Sequence, residues 1–244
     1  MRDTYYARSE NDRGKMETVQ AHLKNVGALC ALFLRPAGLE QLGRILGELH
    51  DFGKYADLFQ EVLEHKRTGV NHALPGAALA LDLYRKRRRL APVLEVVIAC
   101  HHGELAGNVD SIVKRTLQGT YEPLDAENRR ISLYGPKELQ EAAAIWQRDF
   151  QAIRITEAPP DFAEEEDPHL ARMLFIRILY SALIDADWSS AACHYDPDYL
   201  EMHTGPPLQA REALRQLLMM RQEKQRTSTS SPRLNGLRDQ LFED

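Results

Sequence analysis

The stretch LGELHDFGKYADLF, residues 46–59, sets a histidine and an aspartate side by side, His50 and Asp51, with Lys54 three residues on. Four more places in the chain offer metal-binding side chains: His22 in VQAHLKNV, His72 in GVNHALPG, His101 and His102 in ACHHGEL, and Asp185 and Asp187 in YSALIDADWSS. Imidazoles and carboxylates together suit transition metals, and helix bundles bring ligands from distant stretches to one centre. Adjacent helical residues point about 100° apart. His50 and Asp51 therefore reach one centre only near a helix end, or when the centre holds two metals that the aspartate bridges. Two divalent ions would leave such a site cationic, because two or three aspartates cancel only part of their charge and Lys54 adds to it. A cationic site attracts phosphate. Two metals roughly 3.5–4 Å apart activate water and stabilise both the attacking and the leaving oxygen. Imidazole-rich ligation favours Mn, Fe, Co, Ni or Zn over Mg.

Each signal has a plainer reading by itself. An HD dipeptide arises easily by chance, a lone mid-helix histidine such as His22 is more often a core residue than a ligand, and His72 reads equally as a loop residue. His101 and His102 at a helix end would complement the helix dipole. Together and in this order the plain readings lose their force. His65, His169, His194 and His203 have no comparable setting and read as surface or structural residues.

The elements that must position these residues read as helices. Apolar positions recur at helical spacing over 16–34, 39–52, 56–65, 75–90, 92–102, 108–117, 137–155, 168–189 and 207–221. Pro75 suits a helix start. Residues 92–102 are almost wholly apolar and read as a buried helix. Periodicity fails between 119 and 136, a loop with room for a small hairpin, and APPDFAEEEDP is an acidic connector. No long alternating strand pattern and no repeat occurs, so the fold class is all-α. QEKQRTSTSS has the composition of a linker. PRLNGLRDQLF then becomes amphipathic again through Leu234, Leu237 and Leu241, and reads either as a docked C-terminal helix or as the opening of a further element.

With 244 residues, 43% of them hydrophobic, the chain can bury a core as one large or two small domains. A net charge of −5 excludes a generic polyanion binder but leaves room for a local basic patch. No apolar run approaches the roughly 18–20 residues of a membrane span, and no apolar signal segment opens the chain. Cys30, Cys100 and Cys193 are few and far apart, and read as reduced thiols of a cytoplasmic protein.

His22, His50-Asp51, His72, His101-His102 and the late ADW resemble the HD phosphohydrolase superfamily. Within it, HDFGK, NHALPGA, ACHHG and SALIDADW look like the HD nuclease domain of the CRISPR-associated helicase-nuclease of type I systems. The motifs run from residue 18 to about 192, most of the chain. Their order is more specific than the HD dipeptide itself. The resemblance implies an HD-domain helical bundle over 1–224 with the metal site in its core, and a linker and helicase lead-in over 225–244. It implies a nuclease that cleaves single-stranded DNA with two divalent metal ions, Mn, Fe, Co or Ni rather than Mg. The implied partners are a superfamily 2 helicase, fused or separate, and an RNA-guided surveillance complex, with no membrane. Carried over by residue, His22, His50, Asp51 and the late aspartate hold one metal, and Asp51, His72, His101 and His102 the other. Asp51 and Lys54 are then the catalytic pair, Lys54 contacting the scissile phosphate or a metal-bound water. Asp187 fits the family's AD-aromatic setting and shares a helix face with Ile176, Tyr180, Leu183 and Ile184; Asp185 is the alternate. Relatives often carry further acidic residues after this point, where this chain has SSAACH.

The DNA path is the less legible part. YRKRRRL, with Arg85, Lys86, Arg87, Arg88 and Arg89, can track phosphates or form a solvated helix face. Arg129 and Arg130 are a weaker candidate. Trp146 and Trp188 can stack on bases, though both read first as core residues. The alternative function is an HD-type phosphohydrolase acting on nucleotides or small phosphate esters, favoured by the negative net charge and disfavoured by the basic run. A non-enzymatic docking module has no physical need for this set of histidines and aspartates.

Overall fold

The computed structural model describes residues 2–66, 70–103, 105, 136–157, 160–162, 167–203, 205, 210–227 and 233–234. The chain forms two compact units, Met1–Leu200 and Glu201–Asp244. The helix expected over 108–117, the loop with Arg129 and Arg130, and Leu237 and Leu241 of the tail lie outside the described residues.

Among the described residues the first unit is helical apart from one small hairpin, β1 (Tyr6–Arg8) and β2 (Glu17–Thr18). Strands of three and two residues are too short for alternation to betray them. The helix expected from residue 16 begins instead at Val19, where Thr18 Oγ1 accepts from the Ala21 N–H and caps α1 (Val19–Leu34). Next come α2 (Glu40–Leu49), a 3-10 turn at Phe52–Tyr55, and α3 (Asp57–Leu63). Helix α4 (Ala73–Leu83) starts under an Asn71 side chain that accepts from the Ala73 and Leu74 N–H groups. Pro75 lies in its first turn, where its missing N–H costs nothing. This helix ends seven residues earlier than the periodicity suggests, because residues 84–90 form turns. Helix α5 (Ala91–Cys100) is buried as expected; α6 is Pro136–Asp149, after which residues 150–156 run without helix. Helix α7 (Pro168–Tyr195) is capped by Asp167 and runs six residues past its expected end.

Helices α1 and α2 pack together, α4 packs on α5, and α7 lies against α1, α2 and α5. Leu23, Leu42, Ile45, Leu46, Leu49, Leu94, Ile98, Leu179 and Leu183 are fully buried where they meet. Each such side chain contributes roughly 1.5–3 kcal/mol. Glycine lets α1 and α2 approach closely: a Cβ on Gly47 of α2 would lie 2.5 Å from Gly27 Cα and 2.6 Å from the Val26 carbonyl carbon of α1.

The helix Tyr199–His203 (α8) spans the division between the units, and the second unit carries α9 (Ala210–Thr227). Residues 222–227 have a linker's composition but continue α9, since Gln, Glu, Lys and Arg are good helix formers. Among the described residues, no helix is long and apolar enough to cross a membrane.

Candidate metal centre

Five imidazoles and two aspartates meet where α1, α2, α4, α5 and α7 converge. His22 comes from the second turn of α1, where its neighbours Leu23 and Val19 anchor it in the core. His50 caps the C-terminus of α2, and Asp51 follows at the head of the 3-10 turn. The helix therefore stops between them, which lets two adjacent side chains reach one centre. His72 stands at the N-terminus of α4, His101 and His102 at the C-terminus of α5, and Asp187 on the buried face of α7.

Asp51 is the hub. Its Oδ2 lies 3.1 Å from His22 Nε2 and 3.2 Å from His50 Nε2. Its Oδ1 lies 3.2 Å from His72 Nε2, 3.3 Å from His101 Nε2 and 3.8 Å from His102 Nε2. Asp187 Oδ1 completes the first group, 3.5 Å from His22 Nε2 and 3.8 Å from His50 Nε2. The two groups, His22–His50–Asp51–Asp187 and Asp51–His72–His101–His102, share only Asp51. Within each, the potential ligand atoms lie within 4.8 Å of one another, so each could hold a metal ion.

Two of the rings are locked by the backbone. His50 Nδ1 donates to Gly47 O at 2.8 Å and His101 Nδ1 to Ile98 O at 2.7 Å, leaving Nε2 of each turned inward. Those inward atoms, His50 Nε2 and His101 Nε2, have no hydrogen-bond partner among the described residues, and neither does Asp51 Oδ1. Buried polar atoms are costly to leave unpaired. Convergent orphaned acceptors of this kind fit a cation.

The charges of the centre are strongly coupled. Burial favours the neutral Asp51, but His50 and Lys54 outweigh it and hold the carboxyl well below the usual carboxylate range. Burial also favours the neutral His50, yet Asp51 and Asp187 push its pKa up to about 10. At His101 burial wins and the pKa falls to about 4. Asp187 is likewise held low against its burial, chiefly by His50. Lys54 Nζ donates to Asp51 Oδ2 at 2.7 Å and to Ala7 O at 3.3 Å.

The remaining predicted residues lie elsewhere. Asp185, two residues from Asp187, points to solvent on the opposite side of α7. Arg87 donates to Ile155 O, while exposed Arg85 pairs with Asp82 and Arg89 with Asp161. Trp146 is buried and donates to Glu48 O, but Trp188 is 73% exposed, against the expectation of a core residue. It follows Asp187 on α7, and the 100° turn that buries the aspartate exposes the tryptophan.

Sequence reading missed Arg8 and Glu17. Arg8 Nη2 donates to Asp187 Oδ1 at 3.0 Å and its Nε to Glu17 Oε2 at 3.1 Å. Glu17 Oε2 in turn faces His22 Nδ1 at 3.5 Å. Burial opposes ionisation of Glu17, but His22 and Arg8 leave its pKa lowered. The one available signal was a cross-strand Arg8–Glu17 pair, invisible without the hairpin register.

No family model matches this sequence, and no curated protein matches it.

Proposed function

We propose that this chain is a metal-dependent nuclease of the HD type that hydrolyses phosphodiester bonds of single-stranded DNA. We infer that it works with a superfamily 2 helicase, fused or separate, and an RNA-guided surveillance complex, in type I CRISPR interference. The observation that carries the reading is the Asp51 carboxylate, whose two oxygens each face their own set of imidazoles. The HDFGK, NHALPGA, ACHHG and SALIDADW resemblance supplies the substrate class and the partners.

Two divalent ions, preferably Mn, Fe, Co or Ni, would activate water and neutralise charge on the attacking and leaving oxygens. His22, His50, Asp51 and Asp187 would hold one, and Asp51, His72, His101 and His102 the other. Lys54 carries a buried ammonium against Asp51; in this reading it would contact the scissile phosphate or a metal-bound water. His102 has a half-exposed side chain, so the side of the centre it borders is where a strand would enter. Exposed Arg85, Arg88 and Arg89 remain candidates for tracking phosphates, while Arg87 is occupied with the Ile155 carbonyl.

The test is cleavage of circular single-stranded DNA by the metal-stripped protein, with Mn, Ni, Co, Fe(II), Zn or Mg restored one at a time and matched duplex alongside. Internal cutting of the single strand with transition metals, lost in Asp51→Asn and Asp187→Asn but kept in Asp185→Asn, is the expected result. Metal binding without any DNA cleavage would overturn the nuclease reading and favour a phosphohydrolase of nucleotides, to be screened with dNTPs and nucleoside monophosphates.

A further inference from the structure

The imidazoles of the centre are not held alike. His50 and His101 donate from Nδ1 to neutral backbone carbonyls. His22 Nδ1 instead has no hydrogen-bond partner among the described residues, and the group it faces is a carboxylate, Glu17 Oε2, 3.5 Å away and just beyond hydrogen-bond range. His22 is fully buried and Glu17 nearly so. Once His22 Nε2 serves as a ligand its proton resides on Nδ1, and Glu17 is the acceptor in front of it. A charged acceptor fixes the ring and makes the imidazole a stronger donor toward a metal.

Glu17 is itself fixed. It lies across the hairpin from Arg8, whose guanidinium binds Glu17 through Nε and Asp187 through Nη2. One cation thus ties the carboxylate behind His22 to the carboxylate that closes the same group. Among the described residues the other group has no such carboxylate behind a ring: it offers one shared carboxylate oxygen and three imidazoles, one of them the half-exposed His102. Affinity for a divalent cation rises with carboxylate charge and with rigid, oriented ligands.

We propose that Glu17 is a positioning residue acting through His22, and that it makes the His22–His50–Asp51–Asp187 group the tighter of two unequal metal positions. This rests on the reading of both groups as metal positions.

The experiment is titration of the metal-stripped full chain with Mn(II), counting free Mn(II) by electron paramagnetic resonance. The wild type should show two classes of site. Glu17→Gln, isosteric and uncharged, should weaken the tight class by about 10–100-fold and leave the weak class unchanged. Glu17→Asp, which keeps the charge on a shorter arm, should fall between the two. His22→Ala should remove the tight class, and adding Glu17→Gln to it should change nothing more. Thermal unfolding without metal checks that each variant folds. Equal weakening of both classes, no weakening of either, or a further loss in the His22→Ala background would overturn the positioning role while leaving the metal centre intact. A wild type that binds no Mn(II) would remove the metal centre and this inference together.

Discussion

Replacing Gly47 with alanine tests whether the α1–α2 approach sets the geometry of the centre. The new Cβ would lie 2.5 Å from Gly27 Cα and 2.6 Å from the Val26 carbonyl carbon, about 0.9 Å short of ordinary contact at 3.4 Å. Both obstacles are backbone, so no side chain can swing away and the helices must part. Overpacking of this kind costs about 1–3 kcal/mol. Alanine returns roughly 0.5–1 kcal/mol as the better helix former. The net loss, up to about 2.5 kcal/mol, lowers Tm by about 2–4 °C per kcal/mol in a domain of this size. The same shift reaches the centre, because Gly47 O accepts from His50 Nδ1 on α2 while His22 stands on α1. Differential scanning calorimetry without metal, followed by Mn(II) titration, reads both effects. Gly27→Ala is the comparison: its Cβ would meet Glu48 Cγ at 3.1 Å and Arg44 O at 3.2 Å, a milder conflict partly relieved by a flexible side chain. The expected order of Tm is wild type, then Gly27→Ala, then Gly47→Ala, with metal affinity lowest in Gly47→Ala. A Gly47→Ala protein with raised Tm and unchanged affinity would refute the reasoning, since helix propensity alone would then account for it.

The two tryptophans should separate cleanly in thermal melts. Trp146→Ala removes a buried ring stacked on Phe150 and should cost about 3–5 kcal/mol, whereas exposed Trp188→Ala should stay within about 0.5 kcal/mol of wild type. In the basic run, Arg87→Ala should lower Tm through the lost bond to Ile155 O, while Arg88→Ala should leave Tm alone and reduce the salt dependence of single-stranded DNA binding; identical melts for the two variants would contradict this division. An aromatic disulfide reagent should label Cys193 first in the native protein and reach buried Cys30 and Cys100 only on unfolding. Burial pushes the Cys30 thiol up to about 12 from its ordinary 9. The unfolded chain therefore ionises first, and Cys30 costs stability as pH rises above 9, a slope that Cys30→Ala should remove.

Helical periodicity was legible wherever one face is buried: Leu42, Ile45, Leu46 and Leu49 spell out α2, and Leu179, Leu183 and Asp187 share the buried face of α7. Helix ends were less so, because they depend on caps. Thr18 starts α1 three residues late, and turns after Leu83 cut α4 short, while apolar spacing continues through both places. The hairpin was illegible, being held by partners far along the chain: Gln60 pairs with both the N–H and the carbonyl of Tyr6, and Asn11 donates to His194 O.

The same division holds at the centre. Residue types, their order and the family resemblance nominated His22, His50, Asp51, Lys54, His72, His101, His102 and Asp187, with Asp185 as the alternate, because imidazole and carboxylate chemistry does not depend on the fold. Tertiary structure alone decided the rest. It put Asp187 inside and Asp185 outside, since a 100° step on a helix separates core from water only once the helix is docked. It set which oxygen of Asp51 each imidazole faces, an outcome of where five helices converge. It also brought in Arg8 and Glu17, whose charges mean nothing in sequence until a two-strand pairing sets one beside the other and both against α1 and α7.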